Sequence, residues 1–184
     1  MKVKHCIMAL ASVLLILAAC SKESVKTLYS SQETRIESLV KSLISADTTG
    51  LALLVNHKGC QRVILKQGTG DTLTASGTVS FYYAGFTLPS TTISISNMFD
   101  TNIFSFAKQA NRDTTDLDKF QPVTRKLSEG KLVKGLKNGL IGVRAGEDCY
   151  VLFSGKYGFG SKGLGTIPAN SALAYALHIV EVSE

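Results

Sequence analysis

Few residues in this chain could do covalent or metal chemistry, and their spacing argues against most of what they could do. Gly158-Phe159-Gly160-Ser161-Lys162-Gly163 has the G-x-G-x-x-G spacing of a phosphate cradle. A cradle needs a helix opening behind it, so that free N–H groups and the helix dipole face the anion. Gly165 and Pro168 keep the chain irregular there and no βαβ unit surrounds it, so a surface loop is expected. Asp113, Asp116 and Asp118 offer carboxylates without the alternating ligands and central glycine of a calcium loop; they read as a polar insertion. His57 and His178 lack spaced acidic or thiol partners, so structural or solvent-facing roles are expected and no metal. There is no G-x-S-x-G elbow and no Cys/His pair placed for nucleophilic attack. No cofactor is expected.

What remains is a series of apolar and aromatic residues at strand–loop junctions: Tyr83, Phe99-Asp100, Leu132-Val133, Leu136, Phe159, Ile167 and Tyr175. A hydrophobic core would account for many of them.

The elements that must position them follow from periodicity. Thr78 to Leu88 alternates apolar and polar residues as a strand does. Arg62 to Gln67, Thr92 to Phe99, Pro122 to Leu127, Asp148 to Ser154 and Leu173 to Val182 carry period-two or β-branched character. Leu132, Val133, Leu136, Leu140 and Val143 form the apolar stripe of one short helix. Gly135, Gly139 and Gly142 weaken that helix and permit close packing. A further helix is expected at Ile103 to Asn111. This order implies an α+β fold, a short helix resting on an antiparallel sheet. Ahead of it, Ser30 and Glu33 have capping-box spacing, and Ile36, Leu39, Val40, Leu43 and Ile44 recur on one helical face. That face docks on the domain or receives a partner.

Taken in order, Tyr82-Tyr83-Ala84-Gly85, Met98-Phe99-Asp100-Thr101, Leu132-Val133-Lys134-Gly135-Leu136, Gly158-Phe159-Gly160 and Ile167-Pro168-Ala169-Asn170 resemble the FKBP family of peptidyl-prolyl isomerases. The resemblance spans about residues 61 to 182. It implies a curved antiparallel β-sheet wrapped on a short α-helix, here with an extra N-terminal amphipathic helix. It also implies that Tyr83, Phe99, Leu132, Val133, Ile167 and Tyr175 line a pocket for a proline ring, with Asp100 on its rim. The Val133 N–H would then bond a carbonyl of the bound peptide. The chain departs from the family pattern at three places: Leu136 stands where a tryptophan floor is usual, Phe159 replaces a tyrosine, and Val123 replaces an aromatic wall. With no tryptophan anywhere, the resemblance leaves two functions open. One is an isomerase acting on proline-containing polypeptide segments; the other is a catalytically weak or inactive module of the same fold that binds a protein partner.

The first twenty residues set the expected compartment. Lys2 and Lys4 form a basic start, Ile7 to Ala19 form an apolar run, and Leu17-Ala18-Ala19-Cys20 has the pattern of an acylated, cleaved lipoprotein signal. The run is too short to cross a bilayer, which needs about 20 residues. The expected organisation is a signal peptide at 1–19, a lipidated tether at 20–31, an N-terminal helix and connector at 32–60, and an FKBP-like domain at 61–184. Cys20 would carry the lipid, holding a monomer to a bacterial membrane on an extracytoplasmic face, periplasmic or surface. Without Lys2 and Lys4 the chain keeps 18 basic against 14 acidic side chains, spread without a block, which gives no footprint for nucleic acid. Cys60 and Cys149 could pair there if the fold brings them together; their spacing leaves this open.

Overall fold

The computed structural model describes the chain from Lys2, with side chains from Glu23 to Glu184. The signal-peptide boundary and Cys20 lie outside the residues described with side chains. The elements are α1 (Lys2–Ser45), β1 (Leu53–His57), β2 (Cys60–Lys66), β3 (Thr78–Thr87), β4 (Met98–Thr101), α2 (Phe104–Gln109), β5 (Val123–Lys126), α3 (Lys134–Leu140), β6 (Asp148–Phe153) and β7 (Leu173–Ser183). The strands form one antiparallel sheet in the order β1-β2-β6-β7-β3-β4. On the edge of β3 opposite β7, two short strands follow one another: β5 pairs with Thr78 to Phe81, and β4 with Ala84 to Phe86.

Between them the ladder is bridged by Asn102, which is buried. Its Oδ1 accepts from the Tyr83 N–H at 2.6 Å, and its Nδ2 donates to the carbonyls of Phe81 and Gln121. One side chain thus replaces the missing strand partner, as buried backbone groups require. The segment 103–120 leaves the sheet at this break.

Both sheet faces are covered. On one, α3 packs over Val79, Phe81, Val151, Phe153, Leu173 and Ile179. The helical glycines make this possible: a Cβ at Gly135 would lie 2.3 Å from the Phe153 ring, and one at Gly139 2.2 Å from Val151 Cγ1. Arg62 closes the C-terminal end of α3, donating to the carbonyls of Gly139, Ile141 and Gly142, where a cation also complements the helix dipole. Its Nε faces Glu147 Oε1 at 3.3 Å, a buried ion pair. On the other face, Ile36, Leu39 and Val40 of α1 pack on Val63, Leu152, Ala172 and Ala174. Each fully buried aliphatic side chain stabilises by about 1.5–3 kcal/mol, and the small Ala172 and Ala174 let the helix approach. The expected helical stripe is therefore a docking face within the chain.

Several expectations need correction. The stretch read as a tether is helical from Glu23 onward, because Tyr29 and Gln32 carry the stripe of Ile36 one further turn back onto the domain, through hydrogen bonds rather than apolar contacts. The residues read as a connector contain β1, joined to β2 by Lys58-Gly59. Both turn residues have positive φ, 46° and 81°, the requirement of a tight hairpin turn matched to sheet twist. Thr92 to Phe99 is mostly not a strand: Ser94 caps a 3₁₀ turn at Ile95–Asn97, and of the stretch only Met98, opposite Phe86, has a ladder partner, Phe99 falling at a bulge. Ile93 and Ile95 bury themselves against Phe86 and Met98 without a ladder, which explains why alternation there misled. Cys60 and Cys149 are free and buried. Cys149 pairs with Ile64 and Cys60 with Phe153, four strand positions or about 13 Å apart, too far for a disulfide.

Candidate active site

The α3 face of the sheet is open at one end, where β3, β4, β5 and the loops after β5 and β6 surround a cavity of about 390 Å³. All nine residues singled out from the sequence line it: Tyr83, Phe99, Asp100, Leu132, Val133, Leu136, Phe159, Ile167 and Tyr175. Leu136, Ile167 and Tyr175 form the floor, exposed by only 4%, 6% and 5%.

The walls are aromatic and set edge against face. Phe99 meets Tyr175 at 5.7 Å between ring centres and 80° between planes. Tyr175 in turn stacks on Phe153 at 6.0 Å, and Phe81 and Tyr83 lie 6.1 Å apart. These arrangements are the favourable ones for ring quadrupoles and hold the walls rigid. Phe99 reaches across β3 only because residue 85 is glycine: a Cβ there would lie 2.5 Å from Phe99 Cζ.

Polar groups stand at the rim. Tyr83 Oη donates to Asp100 Oδ2 at 2.5 Å, while Asp100 Oδ1 accepts from the Thr101 N–H. Burial first, and then the Asp100 carboxylate, push the Tyr83 phenol well above its usual range, so it remains a donor. Burial likewise holds Tyr175 neutral, reinforced by Tyr83 and Asp100. Val133 is the N-cap residue of α3, with no side-chain cap. The opposite lip is a turn in which Leu164 and Ile167 exchange both backbone hydrogen bonds, with Gly165 at φ 55°, turning Ile167 into the floor.

Residues 70–180 match the family described as FKBP-type peptidyl-prolyl cis-trans isomerase. The chain belongs to that family. Among curated relatives, FK506-binding protein 1 of Aspergillus oryzae is 25% identical over 125 residues, 68% of this chain and 99% of that protein. Mouse "Inactive peptidyl-prolyl cis-trans isomerase FKBP6" is 28% identical over 67% of this chain and 32% of its own length. Among solved structures, Escherichia coli FkpA superposes with a TM-score of 0.56 at 15% identity, covering 96% of this chain and 70% of that one. A peptidyl-prolyl cis-trans isomerase from Pseudomonas syringae gives 0.53 at 17% identity, over 83% and 96% of the two chains. The curved antiparallel sheet on a short helix is thus the FKBP fold, here with a helix added in front.

Reading the sequence missed six residues of this FKBP cavity: Phe81, Arg125, Lys131, Leu164, Gly165 and Thr166. Two carried a usable signal. Phe81 precedes Tyr83 by two positions on one strand, and Arg125 follows Val123 by two, so each shares its neighbour's face. The G-x-G-x-x-G stretch is a loop with a single 3₁₀ turn at Gly160–Lys162, and it brings Phe159 to the cavity. Asp113 and Asp116 bond the backbone of their own turns, Thr115 N–H and Asp118 N–H. His57 bonds the Asn138 carbonyl and His178 faces Asp148 at 2.5 Å, both away from the cavity.

Proposed function

We propose that this FKBP is a lipid-tethered isomerase that rotates Xaa-Pro bonds in exported or folding polypeptides outside the cytoplasm, anchored through Cys20. The observation that carries the isomerase reading is the cavity itself. Its floor is apolar and buried, its walls are aromatic, and its charged groups stand at the rim.

The reaction moves no proton and breaks no bond. Its obstacle is amide resonance, a rotation barrier of roughly 18–20 kcal/mol. A planar amide is more dipolar than a twisted one, so surroundings without water favour the twisted form relative to the planar one. Leu136, Ile167 and Tyr175 hold the proline ring away from water. Phe99 and Tyr83 flank it. The Val133 N–H binds a substrate carbonyl and fixes which bond sits over the floor. The Asp100 carboxylate, held by Tyr83 and Thr101, stands at the rim where the preceding carbonyl swings.

Cis–trans exchange of short Xaa-Pro peptides, followed by exchange NMR with the full chain in detergent, tests the isomerase part. Fatty-acid labelling of cells tests the anchor: label on the wild type and none on Cys20→Ser is expected. Label on both would overturn it.

A second reading has an observation of its own. Leu136 and Phe159 bring no polar hydrogen to the pocket, so a bound peptide is held without the donors that the family pattern places there. A module that grips a partner and turns over weakly fits that chemistry. Peptide binding without faster exchange would favour it.

A further inference from the structure

The loop between β6 and β7 supplies Phe159, Leu164 and Ile167 to the cavity, yet its two ends are tied to a residue outside the sheet. Gln32 of α1 is buried, 4% exposed. Its Oε1 accepts from the Gly155 N–H at 2.8 Å, and its Nε2 donates to the Asn170 carbonyl at 2.7 Å. One amide therefore joins the first and last residues of the segment 155–170.

The two ends are built for that grip. Gly155 and Asn170 lie so close that a Cβ on Gly155 would come 2.2 Å from the Asn170 oxygen. Asn170 takes a left-handed backbone, φ 56°. Its N–H donates to the Gly160 carbonyl within the loop, and its Oδ1 accepts from Tyr29 Oη at 2.7 Å, one helical turn before Gln32. Three groups of Asn170 are thus bonded, two of them to α1. Beside Gln32, Glu33 Oε1 accepts from the Ser154 hydroxyl at 3.3 Å.

We infer that Gln32 is a positioning residue for the substrate pocket, clamping the loop that presents Phe159 and Ile167 to the proline ring. The inference rests on the isomerase reading of that pocket. A loop of sixteen residues without strand or α-helix is held mainly by its ends, since few of its own backbone groups pair. With the clamp in place, Ile167 completes the floor before substrate arrives. Without it, substrate binding must order the loop, which weakens binding and leaves rotation over the assembled floor unchanged. The effect belongs in KM and not in kcat.

The test compares full-chain wild type, Gln32→Ala, Gln32→Glu and Leu39→Ala, reading KM and kcat for Xaa-Pro peptides and, by titration, peptide affinity. Gln32→Glu keeps the acceptor for Gly155 and removes the donor to Asn170. Leu39→Ala loosens the same helix through its apolar contacts, two helical turns beyond Gln32, and leaves both hydrogen bonds of the clamp in place. KM is expected to rise about tenfold in Gln32→Ala and about threefold in Gln32→Glu, with kcat within about twofold. Leu39→Ala is expected to lower Tm with KM unchanged. Unchanged KM in Gln32→Ala, or an equal rise in Leu39→Ala, overturns the clamp. Wild type that binds peptide without accelerating exchange overturns the isomerase reading alone, and the clamp is then judged by the same ratios in affinity. Wild type that neither binds nor accelerates overturns both.

Discussion

Phe99 lies across the backbone of Gly85, and the edge of its ring contacts Tyr175 from the next strand but one in the chain's pocket, at 5.7 Å between centres. Strand register makes this contact possible: Gly85 pairs with Tyr175 on one side and with Asp100 on the other. The pocket wall is therefore one layer thick at Gly85, with two aromatic rings meeting over a residue without a side chain.

Gly85→Ala is expected to push Phe99 off Tyr175. Overpacking of this kind costs about 1–3 kcal/mol of stability. Isomerase activity should fall about tenfold or more, since the wall and not the fold core takes the displacement. Urea melts and peptide exchange rates, measured together, check both parts.

The pocket tyrosines give stability a definite dependence on alkaline pH. Tyr83 and Tyr175 are pushed above their usual value of 10.0, chiefly by burial, and burial raises Tyr150 as well. The folded chain then holds these protons more tightly than the unfolded chain. Their stabilising effect is complete below the unfolded value and is lost as pH rises above it. The urea midpoint should fall from about pH 9 to about pH 11. In Tyr83→Phe, which cannot ionise there, the fall should be smaller; an equal fall would contradict the assignment.

The two described thiols, Cys60 and Cys149, should be silent. Burial pushes Cys60 up to about 12, and Cys149 is raised well above its usual value for the same reason. At neutral pH neither forms much thiolate, the reactive species. Labelling by a disulfide reagent should proceed only as fast as unfolding. The intact mass should not change on reduction; a gain of two hydrogens would show a bond that the sheet register excludes.

Leu136→Trp should place an indole on the floor, where the cavity has room for it. Turnover is expected to rise several-fold with Tm shifted by no more than a few degrees, as about 1 kcal/mol moves a chain of this size by about 2–4 °C. A rate left unchanged in a folded variant would place function outside this floor.

Much of this site was legible through the ordered motifs that resemble the FKBP family, since Leu132, Val133, Phe159 and Ile167 lie outside the strands and α-helices. Tyr83 and Tyr175 follow strand alternation, and Leu136 shares helical spacing with Leu140, so the faces of these three could be read from their neighbours. Two kinds of feature were not. The Lys58-Gly59 hairpin depends on positive φ at a lysine, which residue type does not announce. The clamp by Gln32 depends on one amide meeting two backbone groups more than 120 residues away, and no local pattern encodes such a pairing. The segment of α1 just before Gln32, which carries Tyr29, looked like a tether because its contact with the domain is a polar one.

Whether this FKBP pocket turns over Xaa-Pro bonds is decided by a protease-coupled isomerisation assay. The full chain should accelerate cis-to-trans conversion of short Xaa-Pro peptides, with Phe99→Ala folded and nearly inactive. No acceleration by folded wild type, or equal rates with Phe99→Ala, would contradict turnover there.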